Sequence, residues 1–275
     1  MAPFTGSSRP GDKWKHFRLD VADAVATITF DRPDQLNALT FEVYADLRDL
    51  LRELPQRDDA KVLVITGEGR GFCSGGDVHE IIGELLKSDQ DRLLEFTRMT
   101  GAVVQNMREC PLPVIASING IAAGAGSVIA LAADFRVLAR SASFAFLFTK
   151  VGLAGADMGS AYLLPRMVGL SKATELLMLG ESIDAATINA LGLAHRVVDD
   201  SELGSATEGL ARSLAEGPSL AYANTKRLLS RELDMDLAGA LELEATTQAL
   251  LMTTADHAEF YEAFIEGRKP HWTGK

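Results

Sequence analysis

The sequence predicts an α/β protein, with strand–helix units building a mostly parallel sheet through the first two thirds of the chain and a region of helices after it. Three observations carry this. Val114–Ile118 and Lys61–Thr66 (KVLVIT) are short apolar runs rich in β-branched residues, as strands buried on both faces are. Each runs into a glycine-dense turn and then a helical pattern, the order of βαβ units. From Ser160 onward the pattern is helical, with ends marked by Gly180, Gly192 and Gly217-Pro218.

The elements follow in order. Residues 1–16 contain Pro, Gly and Ser without periodicity and are expected as a loose arm. The core is expected over 17–200 and a helical capping or oligomerisation region over 201–275. Ala24–Phe30 alternates and reads as a strand that Asp31-Arg32-Pro33 ends. Thr40 is the expected N-cap of an amphipathic helix reaching about Leu54, with Glu42 and Asp46 in its early turns. Gly67–Gly76 is a loop, Asp77 opens a helical stretch, and a long helix covers Asp91–Arg108. After the strand at Val114, Asn119-Gly120 turns the chain. Gly124-Ala125-Gly126 then leads into Val128–Ala133, a run apolar enough for a helix packed on all sides. Small residues opening a helix leave unpaired backbone N–H groups with nothing bulky before them, a place suited to negative charge. A strand at Phe135–Leu138 and a glycine loop at Gly152–Gly159 follow. Helices are expected at about 160–168, 171–178, 184–190, 202–215, 219–230, 237–251 and 256–266. Phe144, Phe146 and Phe148 alternate, so they are expected on one strand face, either as plain core or as the wall of a flat apolar pocket.

The length, 275 residues, suits one large domain with or without an appendage. A formal net charge of −11 argues against nucleic acid and anionic membranes as main partners, while a small anionic ligand needs only a local basic patch. No apolar run is long enough to span a membrane, and no leader h-region is visible. Cys73 and Cys110 are expected as free thiols in a reducing compartment, which implies the cytoplasm.

Nucleotide motifs fail on detail. Gly67–Gly76 lacks the Gly-Lys-Ser/Thr end of a P-loop, and Gly120, Gly124 and Gly126 give G-x-x-x-G-x-G, not G-x-G-x-x-G. Ser74 and Ser127 sit beside glycines but outside G-x-S-x-G. The five histidines form no metal-ligand pattern, so no metal is expected. Asp77 and Glu80 read as helix-start charges.

Several spaced motifs together resemble the enoyl-CoA hydratase/isomerase (crotonase) family. They are Phe72-Cys-Ser-Gly-Gly-Asp77, the stretch from Pro113 to Gly126, Ala132-Ala-Asp134, Ser143-Phe144, Gly152-Leu153, Leu164-Pro-Arg-Met-Val-Gly169, Ala190-Leu-Gly-Leu193 with Val197-Val198, and Ala263-Phe-Ile-Glu-Gly-Arg-Lys269. The resemblance covers about residues 17–270. It implies a ββα spiral superhelix with a helical C-terminal trimerisation region, assembled as a homotrimer or a dimer of trimers. It also implies an acyl-CoA thioester as substrate, coenzyme A being part of that substrate and no cofactor being tightly bound.

By position, the backbone N–H groups of Cys73 and Ala125 would hold the thioester oxygen as an enolate forms. One preorganised donor of this kind lowers a barrier by roughly 3 kcal/mol. The Cys73 thiol itself reads as space-filling and not as a nucleophile. Ser74, Gly75, Gly76, Asp77 and Gly124 would line the same cleft. Arg32 and Leu36 lie in the loop that touches coenzyme A in the family, and Arg268 and Lys269 resemble its C-terminal phosphate-contacting basics.

The departures from the family pattern bear on the chemistry. The first hydratase glutamate has Val128 at its position; the second falls on Phe148 or Thr149, depending on which flanking motif the count starts from. Two-glutamate hydration is therefore not expected in its usual form. Asp157 falls where the family's 4-chlorobenzoyl-CoA dehalogenases keep a nucleophilic aspartate and its dienoyl-CoA isomerases an acid–base aspartate. The dehalogenase histidine and the isomerase's partner glutamate have no counterpart. Asp157 reads either as the proton-handling group or as a cap for the helix at 160–168. Hydrolysis or carbon–carbon cleavage of a cyclic or aromatic acyl-CoA, and coenzyme A binding without chemistry, are the alternatives.

Overall fold

The structure, a computed structural model, describes residues 14–275. The arm expected over 1–16 lies, for residues 1–13, outside them. Packing has begun by Trp14, whose ring stacks on Phe17 at 5.1 Å, and the His16 carbonyl accepts the Asp31 N–H.

The N-terminal strand is one half of a hairpin. β1 (Phe17–Ala22) pairs antiparallel with β2 (Val25–Phe30). Asp23 and Ala24 turn the chain with positive φ, and the absence of glycine there hides the hairpin from a sequence reading. α1 (Phe41–Glu53) begins at Thr40, whose hydroxyl accepts the Val43 N–H. β3 (Val62–Gly67) runs parallel to β2, and β4 (Gly71–Cys73) lies inside the glycine loop. Asp77 accepts the N–H groups of His79 and Glu80 and so starts a wide π-type turn, Val78–Ile82, followed by α2 (Gly83–Leu85) and α3 (Gln90–Glu109). Then come β5 (Val114–Ile118), β6 (Ile121–Ala123), α4 (Ala125–Ala132), β7 (Phe135–Ala139) and β8 (Ser143–Ala145). α5 (Ser160–Val168), α6 (Leu170–Leu179), β9 (Ser182–Asp184), α7 (Ala185–Ala190) and β10 (Arg196–Val198) lead to α8 (Leu203–Ala215), α9 (Ser219–Glu232), α10 (Leu237–Leu251) and α11 (Ala255–Glu266).

Among the described residues one sheet has the order β1-β2-β3-β5-β7-β10, parallel apart from the hairpin. A second has the order β4-β6-β8-β9, parallel apart from its last pair. Successive strands step from the first sheet to the second (β3 to β4, β5 to β6, β7 to β8) before a helix returns the chain. Each ββα step is one turn of a spiral, as expected. Period-2 burial serves both faces of the larger sheet. Leu63 and Ile65 enter the main core with Phe30, Leu131 and Leu138, whereas Val62 and Val64 pack outward with Leu203, Ala211 and Ala215 of α8. By packing, α8 thus belongs with the larger sheet.

Two expectations are corrected. The last third is not purely helical, because β9 and β10 interrupt it; three-residue strands are too short to show a period. Phe144, Phe146 and Phe148 do not share a strand face. β8 ends at Ala145, and a 3-10 turn over Leu147–Val151 redirects the chain. All three rings are buried, as core.

Asp134 is a junction. Its carboxylate accepts the Val114 N–H at 2.8 Å and meets Lys226 of α9 at 2.8 Å and Arg108 of α3 at 3.2 Å. Lys226, itself buried, also donates to the Met107 and Leu112 carbonyls. Arg136 of β7 donates to the Ala133 carbonyl at 2.6 Å, serving the orphan end of α4. No helix among the described residues is long and apolar enough to cross a membrane.

Candidate active site

Two chain turns meet where strands of the small sheet end. β4 and β6 run parallel with Cys73 beside Ala122, so both deliver the chain to the same edge. Contact there is too close for side chains. A Cβ on Gly126 would stand 2.1 Å from the Cys73 carbonyl oxygen, and one on Gly75 would stand 3.0 Å from the Ala123 oxygen and 3.6 Å from the Ala125 nitrogen. Gly124 precedes α4 at φ 51°, and Ala125 is the first helical residue. Its N–H has no intrahelical partner by geometry, and no acceptor for it occurs among the described residues. The hydroxyl of Ser127, one turn on, is turned inward at 2.6 Å from the Ala122 carbonyl, so it is a strut and not a nucleophile.

The loop at 32–39 braces the first turn. Ser74 N–H donates to the Leu36 carbonyl, Leu39 N–H to the Gly75 carbonyl, and Asp77 N–H to the Leu39 carbonyl. Asn37, buried at φ 58°, accepts the Arg32 N–H and donates to the Gly71 and Glu68 carbonyls. Arg32, expected near coenzyme A, spends its guanidinium inside this scaffold. It lies 2.9 Å from the Asp77 carboxylate, 3.6 Å from Glu80 and 2.6 Å from the Ala38 carbonyl. Burial opposes the charge on Asp77, but the Glu80 and His79 amides and the Arg32 guanidinium outweigh it and hold the carboxyl below its usual value.

Asp157 lies on a strained loop. Met158 takes φ 52° and Gly159 φ 90° before α5 begins. The Asp157 carboxylate accepts the Met158 N–H at 2.8 Å and no N–H of α5, whose cap position is Gly159 without a side-chain bond. The capping role is therefore absent. Burial raises the carboxyl's pKa, and the Met158 amide only partly offsets this. Tyr44, which the sequence reading passes over as one more position on the buried face of α1, lies nearby. Its hydroxyl would be 3.8 Å from a Cβ on Gly76, and burial, then the charges of Cys73 and Asp157, hold its pKa well above 10. Tyr44 thus sits within electrostatic reach of both sequence-predicted groups. Nothing in the helical stripe announces this, since it depends on the fold bringing 44, 73 and 157 together.

Val128, Phe148 and Thr149 are the positions that the sequence reading sets against the family's two glutamates. Val128 and Phe148 are in the core, and the Thr149 hydroxyl is buried without a partner near Gly180. The Cys73 thiol is buried and pushed up to about 12. Arg268 is engaged by Glu259 and Glu266 at the end of α11, and no contact among the described residues links it or the exposed Lys269 to the loops at 32–39 and 73–77. A cavity of about 1040 Å³ lies between α3, α5 and α9; it borders the Asp157 loop at Met158 and Gly159 but includes neither Cys73 nor Ala125. The amide geometry, not that volume, marks the candidate site. Among the described residues no three His, Cys, Asp or Glu side chains gather as a metal site would need.

The comparisons agree with this architecture. The Enoyl-CoA hydratase/isomerase family model matches residues 20–275. The chain is 35% identical over 255 residues to 1,2-epoxyphenylacetyl-CoA isomerase of Escherichia coli (strain K12), covering 93% of this chain and 97% of that one. It is 29% identical to trans-2-decenoyl-[acyl-carrier-protein] isomerase of Streptococcus mutans, covering 95% and 99%. A crystal structure from Streptomyces coelicolor A3(2), provisionally named an enoyl-CoA hydratase, superposes with a TM-score of 0.95 at 60% identity over all of both chains. The spiral of ββα turns, the two glycine turns meeting at the edge of the small sheet and a match over nearly the whole length lead to one conclusion: the chain belongs to the enoyl-CoA hydratase/isomerase (crotonase) family.

Proposed function

We propose that this protein is an acyl-CoA enzyme that moves a double bond or exchanges a proton through a thioester enolate. The observation that carries the reading is the Ala125 N–H, without an acceptor at the head of α4 and packed against the turn that follows Cys73. The thioester oxygen accepts from the N–H groups of Cys73 and Ala125. Asp157, ionised, takes the proton from Cα; the C–H electron pair becomes the Cα–C1 double bond, and the carbonyl π pair moves onto oxygen. The two amides favour that charge because they are fixed before it appears. With a 3-enoyl group, Asp157 then returns the proton at Cγ and the double bond ends between Cα and Cβ.

A single carboxyl suits isomerisation better than hydration, because the group that removes the proton also gives it back and no water needs a second base. Val128, Phe148 and Thr149 supply no such base. The isomerase names of two relatives point the same way. Ser74, Gly75, Gly76 and Gly124 flank the thioester in this reading, Leu36 contacts the coenzyme A part, and Lys269 is better placed than the ion-paired Arg268 to meet a phosphate. The exposed Leu237, Leu241, Leu250, Phe260 and Phe264 of α10 and α11 support association of copies as a trimer or a dimer of trimers. Free, buried Cys73 and Cys110 suit the cytoplasm.

Incubation with saturated and 3-enoyl-CoA esters in D2O tests the reading. Mass spectrometry should show deuterium at Cα and conversion of 3-enoyl to 2-enoyl esters. Tight binding with neither exchange nor conversion would make this a coenzyme A-binding protein without chemistry.

A further inference from the structure

Arg98, Arg227 and Arg231 carry charges that the fold does not use. All three are exposed and line the cavity between α3, α5 and α9, and no ion pair or side-chain hydrogen bond engages them among the described residues. Arg227 and Arg231 stand one helical turn apart on α9, a spacing at which like charges repel. In a chain of net charge −11, acids to neutralise them are plentiful, yet none is placed to do so. Glu109, in the same lining, accepts from Gln105 at 2.8 Å. The deeper cations are spent: Lys226 on Asp134 and two carbonyls, Arg108 on Asp134 and Ser230.

Behind the arginines the wall is apolar. Val104, Met158 and Leu163 are buried there, with Ala102 and Ala223 beside them. Gly101 lies on the same wall, in the middle of α3, where glycine weakens a helix relative to alanine. No packed neighbour calls for glycine, since a Cβ there would meet nothing within 4 Å. What its missing side chain leaves is room in the cavity. A rim of positive charge over an apolar wall complements a ligand with an anionic head and a hydrocarbon body. The planar guanidinium fork matches the paired oxygens of a carboxylate.

We propose that the cavity between α3, α5 and α9 is a second ligand site, which takes a free organic carboxylate with a hydrocarbon body. Arg98, Arg227 and Arg231 hold the head, and the wall around Gly101 and Val104 takes the body. The site is separate from the turns at Cys73 and Ala125, which the cavity does not include. It stands whether or not the protein turns over acyl-CoA.

The test compares octanoate with 1-octanol by titration calorimetry on the full chain. Guanidiniums at an exposed rim should favour the charged head by roughly five- to tenfold in Kd. The native protein should show that preference, and the double variant Arg227→Gln/Arg231→Gln should bind the two ligands about equally. Gly101→Leu fills the wall from α3 and should weaken both ligands while keeping their ratio. Saturating butyryl-CoA should leave octanoate affinity unchanged. In native protein with labelled methionine methyl groups, octanoate should shift the Met158 signal; this reading needs no variant to fold. Absence of octanoate binding, equal binding of octanol by the native protein, a preference that survives the double variant, binding without a Met158 shift, or displacement of octanoate by butyryl-CoA overturns the proposal. Failure of butyryl-CoA itself to bind would count against the acyl-CoA reading alone.

Discussion

Gly126 lies so close to Cys73 that a single added carbon would stand 2.1 Å from the Cys73 carbonyl oxygen and 2.9 Å from its Cβ. The obstacle is mainly backbone, which cannot swing aside as a flexible side chain would. The approach sets the spacing of the two turns whose amides are proposed to bind oxygen.

Gly126→Ala should therefore force β4 and α4 apart. Overpacking of this kind costs about 1–3 kcal/mol, and a shift at a preorganised site lowers turnover by about a hundredfold. Gly209→Ala is the control. That glycine lies inside α8 with open space around its Cβ position, so alanine there should stabilise by about 0.5–1 kcal/mol. Denaturant melts and acyl-CoA assays of both variants check the contrast. Native-like stability and turnover in Gly126→Ala would show that the close approach is not needed.

The pair of Arg32 and Asp77 is a brace, with side-chain exposures of 11% and 9%. Arg32→Ala strands a buried carboxylate and the Ala38 carbonyl, and breaking such a pair from one side costs about 3 kcal/mol or more. The pH dependence has a definite sign. Folding lowers the Asp77 pKa, so its contribution is present above the unfolded-chain value and disappears as pH falls through the lower folded value. The variant should thus lose most stability at neutral pH and resemble the native protein more closely near pH 3. Urea melts at both pH values would show it; an equal loss at both would mean the guanidinium acts only through packing.

Much of this fold is legible because local chemistry and global burial agree. Val62–Ile65 and Val114–Ile118 are β-branched runs that the sheet buries on both faces, and Thr40 and Gly180 end helices with their own side chain or backbone freedom. The unpartnered amide at Ala125 was foreseeable for the same reason, as glycines flank the start of an apolar helix. What escaped the sequence depends on distant contacts. Asn37 stitches Gly71 and Glu68 to the 32–39 loop across more than thirty residues, and Tyr44 meets Gly76 beside the Leu39–Gly76 bridge, again across about thirty residues of chain. Phe146 and Phe148 kept the alternation of a strand, but the chain had already left the sheet for a 3-10 turn.

The Cys73 thiol should be inert in the folded protein. Burial pushes its pKa up to about 12, so almost no thiolate exists at pH 8, and thiolate is the reactive form. Iodoacetamide at pH 8 should leave Cys73 unmodified over a period in which denatured protein is fully alkylated, as peptide mass spectrometry would show. Rapid labelling of the folded chain at Cys73 would return the thiol to consideration as a nucleophile.

Asp157 should show a conflict between stability and activity. Burial raises its carboxyl pKa, so the folded chain binds a proton that the unfolded chain has released once pH exceeds the ordinary carboxylate value. Stability then falls as pH rises through that window, and the cost persists at neutral pH. Asp157→Asn removes a buried charge that, among the described residues, the Met158 amide alone partners, so the variant should melt higher than the native protein at pH 7 and lose that advantage below the ordinary carboxylate value. Turnover should move the opposite way. Loss of a positioned acid–base group lowers the rate by about 10²–10⁴-fold, and the native rate should fall on the acid side as Asp157 takes up its proton. A more stable variant with no deuterium exchange at Cα would identify Asp157 as a charge kept for chemistry, whereas unchanged exchange would remove it from the mechanism.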